Sequence, residues 1–371
     1  MNVAVACGGT GGHIFPGVAT AEVLKKRGHA VTLWLAGRDV ESGSTAGWDG
    51  PVISVRAAGF PSGFSFRAVT VAWRLFVAFL QCRRRMKAGR PDILLAMGSY
   101  ASVGPVLAAR TLGVPVVLHE ANAIPGRAIS FLSCFAQAVA VAFKEAAPHL
   151  RHSRVVVTGF PVRTDLEARS EDGALKPGMF TLLHQAPGSF TVLVMGGSQG
   201  AHCLNEMVPP ALIRMHGKGI PVQVIHLAGR HDAPDVRNRY EKAGVPAVVF
   251  EFLKEMGNAY QAAQVAIARA GAATCTELSV VGLPALLVPL PNVSHDHQTA
   301  NARAVESGGG ADVVDEKNVS VEWLAEYVEK LYRDPARLDA MRQKMKSSAG
   351  SGAADRIADL IESIVQSRRQ G

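Results

Sequence analysis

The sequence predicts a two-domain α/β fold, with parallel sheets covered by helices on both faces, and three observations predict it. Short Val/Ala/Leu-rich runs alternate with helix-length segments almost throughout the 371 residues, the pattern of strands buried on both faces. The pattern runs twice, interrupted by a polar stretch rich in Gly, Pro and charge that ends at Ser189. Each run opens with an apolar strand passing into a glycine-rich turn, Gly8-Gly9-Thr10-Gly11-Gly12 and Gly196-Gly197-Ser198-Gln199-Gly200. Two Rossmann-like domains facing across a cleft is the economical arrangement, with ligands held beyond the carboxyl ends of the strands.

In the first run the predicted strands are Val3–Ala6, Ala30–Leu35, Val52–Val55, Ile93–Ala96, Val114–Leu118, Ala138–Val141 and Val155–Val157. Gly159-Phe160-Pro161-Val162-Arg163 then breaks the pattern and leads into the interdomain connection. The second run predicts Phe190–Met195, Val222–Leu227, Ala247–Phe250, Val265–Ala268, Ala285–Val288 and Ala311–Val314. From about Val321 the tail is helical, with no strand candidate. The predicted domains are 1–163 and 164–346, with a C-terminal helix of about 347–371 packing back on the first.

Composition narrows the class. The five cysteines, Cys7, Cys82, Cys134, Cys203 and Cys275, are scattered and form no CxxC pair, which argues against a disulfide framework or a structural zinc site and favours a reducing compartment. No signal-peptide pattern opens the chain, and no window reaches the ~18 apolar residues that span a bilayer, so a cytoplasmic, non-integral protein is expected. The net charge of +8 is uneven: residues 1–163 hold 18 Lys/Arg against 7 Asp/Glu, and the remainder 21 against 24. One half alone therefore suits an anionic surface. Nucleic acid is not expected, because the cations adjoin an apolar segment and are not interleaved with stacking aromatics.

The glycine turns suit phosphate, since backbone N–H groups at a helix start meet anions at the positive end of the dipole. Such turns also serve merely to bend the chain. Neither turn fits GxGxxG, no acidic residue ends the second strand at the ribose distance, and there is no GxxxxGK[ST]. A nicotinamide enzyme and a P-loop ATPase are disfavoured. No DxD pair exists, and His295-Asp296-His297 has no further ligand nearby, so no metal and no cofactor are expected. A leaving diphosphate would then be neutralised by helix N-termini and a cation, for which Arg163 is the candidate.

Seven stretches in order resemble the MurG glycosyltransferases of peptidoglycan synthesis. They are Gly8–His13 with Pro16-Gly17, Met97–Ser102, His119–Asn122, Gly159–Arg163, Gly196–Ala201, Arg269–Glu277 and Asp296–Ala302. The resemblance covers nearly the whole chain. It implies a GT-B type fold and inverting transfer of N-acetylglucosamine from UDP-GlcNAc to an undecaprenyl-linked N-acetylmuramoyl-pentapeptide. Under it, Thr10, Gly11 and Gly12 line the sugar and phosphate end of the donor site, and Asn122 and Gln298 bind the sugar. Arg163 and Ser198 grip the diphosphate, Leu253 offers backbone groups to uracil, and Ala272, Ala273, Thr274, Cys275 and Thr276 lie under diphosphate and ribose. Glu277 accepts both ribose hydroxyls, and His13 is the general base. Simpler roles compete: Glu277 would suit the dipole of a helix's first turn, and His13 would cap a helix beginning near Pro16. Ser99, Ala121, Phe160 and Ala270 depart from the family's usual glycine, glutamine, asparagine and serine.

A UDP-N-acetylglucosamine epimerase of the same fold is the rival, although its chemistry needs several cleft carboxylates and the first half is poor in acids. Residues 64–90 set Trp73, Phe76, Phe79 and Leu80 before Arg83, Arg84, Arg85, Lys87 and Arg90. This juxtaposition predicts an interfacial helix on anionic lipid, and so a peripheral protein on the cytoplasmic face of the cell membrane.

Overall fold

The structure, a computed structural model, describes residues 1–8, 11–36, 48–55, 66–162, 166, 189–196, 201–253, 255–291, 296–348, 350 and 352–370, with backbone alone for 11, 66–72 and 348. Thr10, Arg163, Ser198 and His295 lie outside the described residues. The chain divides into two compact units, Met1–Arg163 with Gly350–Gly371, and Thr164–Ala349.

The first unit holds a seven-stranded sheet of order β3-β2-β1-β4-β5-β6-β7, every pair parallel. Its strands are β1 (Asn2–Ala6), β2 (Ala30–Ala36), β3 (Val52–Val55), β4 (Ile93–Ala96), β5 (Val116–Glu120), β6 (Ala138–Val141) and β7 (Val155–Val157). Helix α1 (Gly11–Lys26) follows β1, α2 (Phe66–Ala88) leads into β4, and α3 (Val103–Thr111) and α4 (Arg127–Leu132) flank β5. The alternation of β1 divides the core. Val3 and Val5 pack with Ile14, Val18 and Leu24 of α1, while Ala4 and Ala6 pack with Cys82 and Met86 of α2 and Val106 of α3.

The expected strand Val114–Leu118 is displaced by two residues. Pro115 has no N–H for the ladder, so pairing starts at Val116, and it continues through His119 and Glu120 because both side chains find partners inside.

The second unit repeats the plan with a six-stranded parallel sheet, β10-β9-β8-β11-β12-β13. Its strands are β8 (Phe190–Met195), β9 (Val222–Leu227), β10 (Ala247–Phe250), β11 (Val265–Ala268), β12 (Ala285–Leu287) and β13 (Ala311–Val313). The helices are α5 (His202–Gly217), α6 (Ala233–Lys242), α7 (Met256–Ala262), α8 (Ala272–Val281), α9 (His297–Ser307), α10 (Val321–Arg333) and α11 (Pro335–Ser348). Val192 and Val194 of β8 pack with Leu204, Val208 and Leu212 of α5 and with Leu324, Val328 and Leu331 of α10.

The last helix, α12 (Ala353–Gln370), belongs to the first unit. Ile357, Ile361 and Ile364 enter the core beside α1. Arg27 pairs with Asp359 at 2.6 Å and Asp355 at 2.7 Å, and Arg356 donates to the Thr158 carbonyl at 2.8 Å.

Helix α2 is divided lengthwise. Ala78, Cys82 and Met86 are buried at helical spacing, and Gly104 of α3 lets the two helices close, since a Cβ there would lie 3.3 Å from the Ala78 carbonyl carbon. On another face Trp73 (65% exposed), Phe76 (48%) and Leu80 (46%) form a bare apolar stripe that runs on into exposed Arg83, Arg84 and Lys87.

Candidate functional site

In both sheets the strand order reverses between the first and fourth strands of the unit, at β1/β4 and β8/β11. Doubly wound sheets hold ligands in the crevice that opens beyond the carboxyl ends at such a point. The motif residues gather at these two places.

At the first, β1 runs through Cys7 and Gly8 to α1. The helix approaches the strand closely: a Cβ on Gly17 would lie 2.7 Å from Cys7 Cβ, so only glycine fits. The expected helix start near Pro16 is corrected to Gly11, because proline at the sixth position forgoes one backbone bond and α1 tolerates it. His13 therefore lies within the first turn. Its Nδ1 is 2.8 Å from the carbonyl oxygen of Met97, the residue after β4. A carbonyl only accepts, so Nδ1 carries the proton and Nε2 of the neutral ring keeps its lone pair. Burial lowers the His13 pKa, and the Met97 bond only partly offsets that. The resulting group is a neutral, oriented base.

The turn after β4 supports the ring. Gly98 takes φ +86°, and a Cβ there would meet the His13 ring at 3.5 Å. Ser99 holds φ 61° and ψ 171°, a region that strains any residue with a side chain. Its hydroxyl donates to the Gly8 carbonyl at 2.6 Å and accepts from Ala101 N–H at 3.2 Å, tying the β1 and β4 turns together.

Asn122 follows β5 and is organised by Glu120, which sequence reasoning left without a role. Glu120 is 3% exposed, and its carboxylate accepts from Asn122 N–H at 2.8 Å, Asn122 Nδ2 at 3.0 Å and Gly126 N–H at 2.8 Å. Burial raises its pKa, against those bonds. An acid ending an apolar strand was the signal that marked it. His119, next to it, donates from Nε2 to the Gly159 carbonyl at 3.1 Å. Its pKa falls to about 4, mainly through burial and further through the nearby His13. Phe160, one of the departures, packs on this ring with centroids 6.0 Å apart.

In the second unit Arg269 follows β11 and is buried. It donates to the Val288 carbonyl at 3.1 Å and the Pro289 carbonyl at 3.3 Å, and it pairs with Glu316. Asn301 Nδ2 donates to the Ala270 carbonyl at 3.2 Å, and Gln298 Oε1 accepts from Leu290 N–H at 3.0 Å. These bonds fix the turns after β11 and β12 and the start of α9 as one block. Helix α8 opens at Gly271 with no side-chain cap, and Ala272, Ala273 and Thr274 are half-buried. Glycine at the N-cap offers the first-turn N–H groups no side-chain oxygen, and such a helix opening suits an anion. Cys275 is buried and its thiol is pushed up to about 12, so the side chain stays protonated and enclosed.

Glu277 is the sixth residue of α8, beyond the first turn, so the dipole accounts for it less well than its expected first-turn position would. Its Oε2 accepts from the Tyr260 hydroxyl at 2.6 Å. Nothing in the sequence marked Tyr260, because the pairing arises only when α7 and α8 meet. Leu253 is 8% exposed beside Phe252 at 59%.

The structure thus brings His13 beside the β4 turn and the end of β5 in the first unit, and ties the turn before α8 to α9 in the second. Among the described residues no cluster of three His, Cys, Asp or Glu side chains forms a metal site.

Comparison with known proteins follows the same division. Residues 3–141 match the glycosyltransferase family 28 N-terminal domain and residues 191–360 its C-terminal domain. A UDP-N-acetylglucosamine–N-acetylmuramyl-(pentapeptide) pyrophosphoryl-undecaprenol N-acetylglucosamine transferase from Halorhodospira halophila is 38% identical over 377 residues, 98% of each chain. One of the same description from Aeromonas hydrophila subsp. hydrophila is 36% identical over 356 residues, covering 96% of this chain and 94% of that protein. The crystal structure of Acinetobacter baumannii MurG superposes with a TM-score of 0.77 at 29% identity, over 98% of this chain and 99% of that one. A UDP-N-acetylglucosamine 2-epimerase structure shares the fold alone, with a TM-score of 0.67 at 15% identity, over 96% of this chain and 94% of that one.

Proposed function

This chain belongs to the MurG family of glycosyltransferases, with their two-domain GT-B type fold, and on that premise we propose how its residues divide the work of transfer. The reaction moves N-acetylglucosamine from UDP-N-acetylglucosamine to a hydroxyl of the undecaprenyl-linked N-acetylmuramoyl-pentapeptide. The observation that carries the catalytic reading is the His13–Met97 bond at 2.8 Å, which leaves Nε2 as the basic nitrogen. His13 Nε2 takes the acceptor proton as the hydroxyl oxygen attacks the anomeric carbon. The new C–O bond forms as the bond to the diphosphate breaks, and the configuration inverts.

The leaving UDP carries the charge that must be stabilised. The N–H groups opening α8, at Ala272, Ala273 and Thr274, support its diphosphate, aided by Arg163 and Ser198. The positive end of the helix and one guanidinium supply what a divalent ion would otherwise supply. Glu277 accepts from the ribose hydroxyls, Leu253 offers backbone groups to uracil, and Cys275 and Thr276 continue the α8 floor. Gln298, whose oxygen is held by Leu290 N–H, turns its amide donors to the sugar, which Asn122 also binds. Thr10, Gly11 and Gly12 complete the sugar and phosphate end. In this scheme residues 1–163 bind the acceptor and supply Thr10, Gly11, Gly12, Asn122 and Arg163 to the donor's sugar and phosphates, and residues 164–346 bind the rest of the donor.

The bare stripe of Trp73, Phe76 and Leu80, continued by Arg83, Arg84 and Lys87, supports a docking face for anionic lipid. Among the described residues no helix is long and apolar enough to cross a membrane. The reading proposed from that stripe is a peripheral enzyme on the cytoplasmic face of the cell membrane.

Radiolabelled UDP-N-acetylglucosamine, first alone and then with purified lipid acceptor, tests the scheme. A larger labelled lipid, formed only with acceptor, is expected. A converted sugar nucleotide formed without acceptor would make the chain an epimerase instead.

A further inference from the structure

The pair Tyr260–Glu277 joins two parts of the second unit that the sequence does not connect. Tyr260 lies on α7, the helix that follows Leu253, and Glu277 lies on α8. The phenol hydroxyl donates to Glu277 Oε2 at 2.6 Å, at the short end of such bonds. Tyr260 is 4% exposed, so its hydroxyl cannot exchange this partner for bulk water, and phenylalanine would fill the same space without the bond. A carboxylate has about four acceptor positions, and the tyrosine bond takes one of those on Oε2 and fixes the direction of the group.

We infer that Tyr260 is a positioning residue for ribose recognition: it sets the Glu277 carboxylate to meet a vicinal diol and thereby favours ribonucleotide over deoxyribonucleotide. This rests on the donor reading above, in which Glu277 accepts from the ribose. The bond also anchors α7, and with it the Leu253 segment, to the helix that carries the ribose contact. A loss at Tyr260 therefore acts through Glu277 and not on the reacting atoms.

Calorimetric titration with UDP and with 2′-deoxy-UDP tests it on the wild type, Tyr260→Phe, Glu277→Ala and the double variant. Tyr260→Phe is expected to weaken UDP about tenfold, the size of a lost hydrogen bond to a charged group, while 2′-deoxy-UDP binding changes much less. KM for the donor rises and kcat at saturation stays near wild type. The double variant binds as Glu277→Ala alone, because the tyrosine acts only through that carboxylate. Comparing two ligands on one protein removes any change in the folded fraction. An unchanged preference for UDP over 2′-deoxy-UDP in Tyr260→Phe, with Glu277→Ala impaired, overturns the positioning role alone. Wild-type affinity for UDP in Glu277→Ala would remove the donor reading itself.

Discussion

Two histidines buried without charge make this fold acid-sensitive by an amount the structure sets. His226, on β9, is fully buried: its Nε2–H donates to Asn205 Oδ1 at 2.9 Å and its Nδ1 accepts from the Tyr240 hydroxyl at 3.2 Å. Burial lowers its pKa to about 3, and that of His119 in the first unit to about 4, from the ordinary 6.5. In both cases folding favours the neutral ring. The stabilisation is complete above pH 6.5 and is lost as pH falls, because the unfolded chain takes up a proton that the folded one refuses. At pH 5 the unfolded imidazole lies about 1.5 pH units below its pKa, so each histidine costs about 2 kcal/mol relative to pH 7.5. Native-state hydrogen exchange of β9 amides at pH 7.5 and 5.0, corrected for intrinsic exchange, reads the second unit. His226→Gln removes the titrating ring. The variant is less stable at both pH values, having lost two hydrogen-bond geometries, but its stability falls about 2 kcal/mol less between them. Groups common to both proteins cancel in that difference. An equal fall in variant and wild type would mean that His226 is not held neutral by its surroundings.

Three further outcomes concern the site. His13→Ala should cut turnover by roughly 10²–10⁴-fold while UDP affinity, measured by titration, changes little. Because burial lowers the His13 pKa, the acid limb of kcat/KM in the wild type should fall below pH 6.5. Turnover should survive EDTA if, as proposed, α8 and Arg163 meet the diphosphate charge; abolition by EDTA with rescue by magnesium would defeat that scheme. Glu120→Ala leaves the N–H groups of Asn122 and Gly126 without their carboxylate, so KM for UDP-N-acetylglucosamine should rise while UDP affinity holds. A parallel loss for both ligands would reduce Glu120 to a scaffold residue.

The strands were legible because each is a short apolar run closed by Gly, Pro or charge, and parallel sheets bury both faces. The β5 shift was also written in the sequence, at Pro115, but two flanking apolar residues masked it. Residue type was legible where backbone need dictates it, as at Gly17 and Gly98, whereas His119 and Glu120, polar residues at the end of an apolar strand, stood out without revealing what they do. What could not be read is pairing between distant elements. The bonds Tyr260–Glu277, Arg269–Glu316 and His226–Asn205 each join residues whose proximity is a product of the sheet order. Local pattern carries no trace of them. The tautomer of His13 belongs to the same class, since it depends on a carbonyl that only β1/β4 pairing brings within 2.8 Å.

The membrane reading turns on which face of α2 is bare. Apolar character round most of the helix would suit a wholly buried element, yet Trp73, Phe76 and Leu80 remain exposed while Ala78, Cys82 and Met86 take the core positions. Exposed aromatic and aliphatic side chains on one stripe lose water when they enter the interfacial region of a bilayer, and the cations that follow stay with the headgroups. Lys and Arg near an anionic surface contribute about 1 kcal/mol each, so replacing Arg83, Arg84 and Arg85 together with glutamine should weaken binding about 10²-fold. The attraction is screened over about 10 Å at 0.1 M salt, so binding should weaken as salt rises. Trp73→Ala should weaken binding with little change in its salt dependence, because it removes buried area and no charge. Sedimentation with anionic and neutral vesicles separates these contributions. Strong, salt-sensitive binding to anionic vesicles alone is expected. Equal binding to both vesicle types, or none to either, would leave the stripe without a lipid partner and return the segment's cations to solvation.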